Sequence, residues 1–206
     1  MEEQEEKLTP GEGDLTESGD EEKIPRKEGI LKEILDWAGI LITALVLSLL
    51  INFCLIINAK VPTGSMENTI MTGDRLFGNR LAYVFSDPQR GDIVIFHYPD
   101  DEKVLYIKRI IGLPGETVEI KNGGVYIDGK LLEERYLNVT TQGEFGPYEV
   151  PEGKYFMMGD NRNNSADSRF WDNTYLDRSK IVGKAFMRYY PKITLIEGAD
   201  YELGIH

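Results

Sequence analysis

Cysteine is almost missing from this sequence: Cys54 is the only one in 206 residues, and it sits inside an apolar run. Intramolecular disulfides, cysteine-based zinc sites and a cysteine nucleophile outside that run are therefore excluded. Histidine is nearly as scarce, with two residues, His97 and His206. Neither falls in an H-E-x-x-H or similar spacing, which argues against a catalytic zinc site. A Ser-His-Asp hydrolase would have to use His206, the last residue, or His97, placed before Tyr98-Pro99 where a structural histidine is the commoner outcome. Positive charge is also short, with 23 Lys and Arg against 35 Asp and Glu for a net charge of −12. No basic face is available to neutralise phosphates, so nucleic acid is not an expected partner.

Residues 1–33 carry twelve acids and five bases, so −7 of the −12 lies there and −5 in the other 173 residues. This stretch has few large apolar side chains with which to offset the entropy of ordering. It reads as a disordered acidic cytoplasmic tail, residues 1–34. Long apolar runs are limited to one. No charged residue occurs between Asp36 and Lys60, and residues 37–57 would span about 31 Å as a helix. The expectation is a transmembrane anchor over residues 35–59 with Trp37 in the interfacial belt. A cleavable signal peptide is the competing reading. Its apolar core would be shorter, and Ile57-Asn58-Ala59 stands where an A-x-A cleavage pattern belongs. Lys23, Arg26, Lys27 and Lys32 precede the run, against Lys60 and Arg75 after it. That bias predicts a single-pass cell-membrane protein with its N-terminus cytoplasmic and residues 60–206 outside.

Beyond Lys60 the pattern changes to short strands separated by turns. Residues 92–97 and 104–111 are β-branched and aromatic runs joined at Asp100-Asp101, and read as a hairpin. Residues 117–121, 125–127 and 130–132 are separated by Asn122-Gly123-Gly124 and Asp128-Gly129, both hairpin turn signals. Residues 155–158 and 184–190 add further strands. No long helical period, internal repeat or heptad appears after Ser65. The fold class is mainly β, with antiparallel strands following one N-terminal transmembrane helix.

Two features stand out as chemistry. Ser65 lies in the loop Val61-Pro62-Thr63-Gly64-Ser65-Met66-Glu67-Asn68-Thr69, directly downstream of the apolar run. Lys108 interrupts an otherwise apolar strand, and period-2 alternation puts it on one face with Val104, Tyr106 and Ile110. Burial there would disfavour the ammonium and leave a neutral amine able to take a proton from Ser65. The alternative is a lysine snorkelling from an edge strand. Gly73-Asp74-Arg75, Arg90-Gly91-Asp92 and the polar run 159–169 also look specialised, although the last equally suits a capped turn held by Asp-Arg pairs.

These stretches, in this order after a membrane span, closely resemble bacterial type I signal peptidases over about residues 36–190. The resemblance rests on Pro62-Thr63-Gly64-Ser65-Met66, Gly73-Asp74, Arg90-Gly91-Asp92 with residues 106–116, and Gly159-Asp160-Asn161-Arg162 through Ser165-Ala166-Asp167-Ser168-Arg169. It implies a membrane-anchored serine endopeptidase with Ser65 as nucleophile and Lys108 as general base. It further implies an oxyanion hole from the Ser65 N–H and the Thr63 hydroxyl, and Ser165 hydrogen-bonded to the Lys108 amine. Asp160 with Arg109, and Asp167 with Arg169, would be supporting ion pairs. Val61, Pro62, Met66, Ile70, Tyr106 and Ile107 would wall substrate pockets that admit small side chains. The implied partners are the lipid bilayer and exported preproteins with Ala-x-Ala before the cut, with no metal or cofactor. The implied fold has two antiparallel sheets, with a variable β-insert at about residues 115–150. Relatives usually have proline at the position of Asn68. A self-cleaving Ser-Lys protease of the SOS-repressor type, or an inert membrane-anchored β-domain that binds exported peptides, are the competing readings.

Overall fold

The computed structural model describes residues 27–199 and Tyr201. The acidic stretch 1–26 and His206 lie outside the described residues. The chain divides into two compact units, residues 1–45 and 46–206.

Helix α1 runs from Lys27 to Cys54. Within it Gly29–Ile51 is long and apolar enough to cross a membrane, about 35 Å at 1.5 Å per residue, and none of its most apolar stretch is buried by protein. Large apolar side chains such as Leu41, Leu45 and Leu49 are more than half exposed. These helix bounds correct the sequence reading at both ends. Residues 27–34 are helical, and Ile56–Lys60 is not part of the anchor but the first strand, β1. Apolar composition alone does not separate a lipid-facing helix from a sheet-facing strand. Pairing decides it, because β1 is matched residue for residue with β2 (Arg75–Asn79), from Ile56 with Asn79 to Lys60 with Arg75.

The remaining strands are β3 (Ile93–Tyr98), β4 (Asp101–Gly112), β5 (Thr117–Lys121), β6 (Gly124–Ile127), β7 (Lys130–Leu131), β8 (Phe145–Glu149), β9 (Lys154–Met158), β10 (Leu176–Asp177), β11 (Ile181–Tyr190) and β12 (Thr194–Leu195). They form two antiparallel sheets. One has the order β1-β2-β11-β3-β4-β9-β10 with β12 beside β11, and the other the order β7-β6-β5-β8. The hairpin expected at 92–111 is β3-β4, in register from Ile93 with Arg109 to His97 with Leu105. Strand β8 escapes the sequence pattern because Phe-Gly-Pro-Tyr-Glu reads as a turn; it lies at a sheet edge, where proline is tolerated.

Both faces of the large sheet are covered at its centre, around β3. In β3, Ile93 packs with Val61, Met66, Ile70 and Leu76, while Val94 and Phe96 pack on the other side with Ile110, Met157 and Trp171. That two-sided burial explains the unbroken apolar run in β3. A third cluster joins Val118, Ile120, Val125 and Ile127 of the small sheet to Ile111, Phe156 and Met158 of the large one. Strand β4 is the axis of the arrangement. Its second half pairs with β9 from Arg109 onward, leaving the far edge of residues 104–108 open among the described residues.

Candidate active site

The loop after β1 is pinned at both ends. The Val61 N–H donates to Asp74 O (2.9 Å) and the Gly73 N–H to Val61 O (2.8 Å). Between them a tight turn is closed by Ile70 N–H on Met66 O (2.8 Å), with both side chains sunk in the core. Burying Met66 and Ile70 holds the intervening loop and leaves Ser65 at the rim of a cleft. Asn68 has a φ of +84°, a left-handed conformation that asparagine tolerates and that a proline ring, held near −65°, excludes.

Lys108 approaches from β4 with its Nζ 2.6 Å from Ser65 Oγ and 3.2 Å from Ile107 O. Its side chain is 3% exposed. Burial lowers its pKa from 10.5 to about 8, against the opposing influence of the Asp167 and Asp160 carboxylates. The amine also lies 5.2 Å from the centroid of the Tyr106 ring, on the same strand face. A serine hydroxyl beside an amine whose pKa is lowered to about 8 is the arrangement that a nucleophile and its general base require.

Polar groups behind the pair tie the loop 159–169 to it. Arg109 Nε and Nη2 form a fork on Asp160 at 2.8 and 2.7 Å, both side chains being buried. Burial opposes the Arg109 charge, but the Asp160 hydrogen bonds outweigh it and push its pKa up. Asp160 also accepts from Thr69 Oγ1 of the serine loop. Asp167 accepts from the Gly159 N–H (3.0 Å) and from Arg169 Nε (2.8 Å). At Gly159 a Cβ would overlap Ser165 Oγ and the Ser65 carbonyl, so only glycine lets the two loops meet.

A cleft of about 620 Å³ opens beside Ser65 and Lys108. Val61, Pro62, Met66, Tyr106 and Ile107 line it, as does Thr63. Two expectations are corrected. Ile70 does not line the cleft; the turn rotates it into the cluster beneath the loop. Ser165 does not hydrogen-bond Lys108. Its Oγ is buried with no hydrogen-bond partner, packed against Gly159, while Lys108 Nζ is committed to Ser65 and Ile107. His97 binds Glu102 O at 2.7 Å inside the β3-β4 hairpin. Among the described residues no cluster of His, Cys, Asp and Glu could hold a metal.

Sequence reasoning did not place Thr69, Asn161 or Arg162 in the site. Arg162 is fully buried against Glu134, Thr141 and Tyr136, and so links the 159–169 loop to the segment after β7. Its only sequence signal is membership of the polar run, because Glu134, Tyr136 and Thr141 lie more than twenty residues away.

The family described as "Signal peptidase, peptidase S26" matches residues 34–190. The chain belongs to this family. It is 40% identical over 156 residues to a probable signal peptidase I-2 from Synechocystis, covering 73% of this chain and 71% of the relative. It is 41% identical over 181 residues to signal peptidase I of Bacillus amyloliquefaciens, covering 83% and 91%. A solved signal peptidase I from Enterococcus faecalis is 36% identical, covering 48% of this chain and 97% of its own, with a TM-score of 0.43. Signal peptidases of this family are serine endopeptidases that remove signal peptides from exported preproteins with a Ser-Lys dyad, and this chain is an enzyme of that kind. Helix α1 fits the membrane anchor.

Proposed function

We propose that Ser65 and Lys108 are the dyad, and that the enzyme cuts preproteins after an Ala-x-Ala sequence on the outer side of the membrane. The observation that carries this is the 2.6 Å approach of a buried amine to Ser65 Oγ at the edge of an apolar cleft. Neutral Lys108 takes the Ser65 proton as Oγ attacks the scissile carbonyl. The oxyanion is met by the Ser65 N–H and the Thr63 hydroxyl, neither of which has an internal acceptor among the described residues. The new amine leaves with the proton from Lys108, an acyl-Ser65 ester remains, and Lys108 then activates the water that hydrolyses it. Every step uses groups of this chain.

The substrate lies extended between Ala59–Pro62 and the open edge of residues 104–107, adding a strand to β4 by main-chain hydrogen bonds. Its first and third side chains before the cut then face walls built by Val61, Met66, Tyr106 and Ile107, which favour small groups. Asp160, Arg109, Asp167 and Arg169 hold the backing loop. Residues 115–150, with the small sheet, form the variable insert. Lys23, Arg26, Lys27 and Lys32 support a cytoplasmic N-terminus. A peptide series with Ala, Val, Leu or Trp at the first position before the cut tests the pocket. Alanine should be cut fastest, with Leu and Trp reduced at least about 100-fold, since each carries several carbons more than alanine and a single extra methylene already discriminates by about 10- to 200-fold. Equal rates across the series would reject the small-residue pocket.

A further inference from the structure

The Gly64–Ser65 peptide group is held from behind by one side chain. Asn161 Nδ2 donates to Gly64 O at 3.0 Å and to Glu67 Oε2 at 3.4 Å, and the Asn161 N–H donates to Ser65 O at 3.1 Å. Both acceptors of the side chain are oxygens, so the nitrogen end of the amide must face the loop. Gly64 O takes a second bond from the Glu67 N–H at 3.1 Å, the turn closure of the loop itself.

A trans peptide group is planar, and its C=O and N–H point in opposite directions. The carbonyl that Asn161 grips therefore belongs to the same rigid plane as the Ser65 N–H. Holding Gly64 O on the inner side fixes the aim of that N–H on the cleft side, where Gly64 and Ser65 both line the wall. The bond from Asn161 N–H to Ser65 O fixes the next peptide plane as well. Asn161 makes no hydrogen bond to Lys108 and does not itself line the cleft; it reaches the lining from behind, through Gly64 and Ser65. Its neighbour Asp160 binds Thr69 and Arg109, which sets the height at which the amide meets the loop.

We propose that Asn161 is a positioning residue that aims the Ser65 N–H at the developing oxyanion. This rests on the reading of Ser65 as nucleophile and of its amide as an oxyanion donor. Removing one such donor outright costs about 100- to 1000-fold in turnover, so a donor left in place but free to rotate should cost less, about 10- to 100-fold.

The test compares the full-length enzyme with Asn161→Ala and with Asn161→Asp, which keeps the shape but presents only acceptors at neutral pH. Cleavage is measured on a peptide with an ordinary scissile amide and on one with a thioamide there, whose sulfur is a poorer hydrogen-bond acceptor. In both variants kcat on the amide should fall about 10- to 100-fold with KM within about twofold. The pH midpoint set by Lys108 should stay in place, and the amide-to-thioamide rate ratio should shrink. A residue that merely supports the fold would move Tm, KM and the pH midpoint together and leave that ratio unchanged. An unchanged ratio, or kcat within twofold of wild type in either variant, overturns the proposal. Ser65→Ala run alongside separates the layers: if that variant still cuts, the nucleophile assignment itself falls. If it is silent while the Asn161 variants match wild type, only the positioning role falls.

Discussion

At the scale of single residues, Lys108 carries both the proposed chemistry and a cost. Its folded pKa of about 8 lies below the value near 10.4 of an unfolded lysine. Between those values the unfolded chain binds more protons, so stability rises with pH across that window. Below about pH 8 the folded protein bears the full penalty of a buried ammonium, on the order of 3 kcal/mol. Two outcomes follow. The rate kcat/KM should climb from acid pH and level off above about pH 8. Lys108→Met should abolish cleavage yet unfold in urea at pH 7 with higher stability than wild type, by up to about 3 kcal/mol. The difference should narrow toward pH 10. A flat rate profile, or a variant less stable than wild type at pH 7, would contradict a neutral buried amine.

The same scale marks what the sequence makes legible. Ser65 and Lys108 can be read from it because each breaks its surroundings, a hydroxyl in a glycine loop and a charge in an apolar strand. Ile70 is misplaced because a local turn closed on Met66 buries it with Leu76 and Ile93, and Ser165 because its environment is set by the packing of one loop on another, a crossing that joins Gly64 to Asn161 at a separation of 97 positions. Spacing along the chain has no access to such a crossing. Asn161 escaped for the same reason, although it lies inside a run already singled out.

At the scale of elements, β4 does most of the assembling. Tyr106 and Ile107 line the cleft, Lys108 reaches Ser65, Arg109 holds Asp160, and Ile110 and Ile111 enter two different cores. Apolar, β-branched and aromatic runs of strand length reveal this strand and its partner β3, and turn chemistry reveals β5 and β6. Strand β1 stayed hidden in the apolar run of the anchor, since only its register with β2 distinguishes it. The small sheet is anchored by the cluster around Ile127, which is 1% exposed in β6 and outside the catalytic cleft. Ile127→Ala should cost about 2–5 kcal/mol of stability through lost contacts and a residual cavity. At 25 °C, where the domain stays folded, kcat/KM should stay within about twofold of wild type. Thermal melts and peptide cleavage on the same sample check this. A collapse of kcat with Tm unmoved would tie the small sheet to the chemistry.

At the scale of the whole molecule, a helix of membrane-spanning length leads through Leu55 directly into β1. Strand β1 in turn leads into the serine loop. Few residues therefore separate α1 from Ser65, the proposed nucleophile, which suits a substrate that itself emerges from the bilayer. The orientation has a direct check. In a Cys54→Ser background, Lys130→Cys on the exposed edge strand β7 should react with a membrane-impermeant maleimide in intact cells. Labelling only after lysis would reverse the topology.

The dyad is tested most directly by incubating the detergent-solubilised enzyme, and beside it Lys108→Ala, with a preprotein carrying an Ala-x-Ala site. Wild type should release the mature protein by a cut after the second alanine, with the variant slower by at least about 1000-fold, as expected when a base of this kind is removed. Comparable cleavage by the variant, or a wild type that leaves the preprotein whole, would contradict the Ser65–Lys108 mechanism.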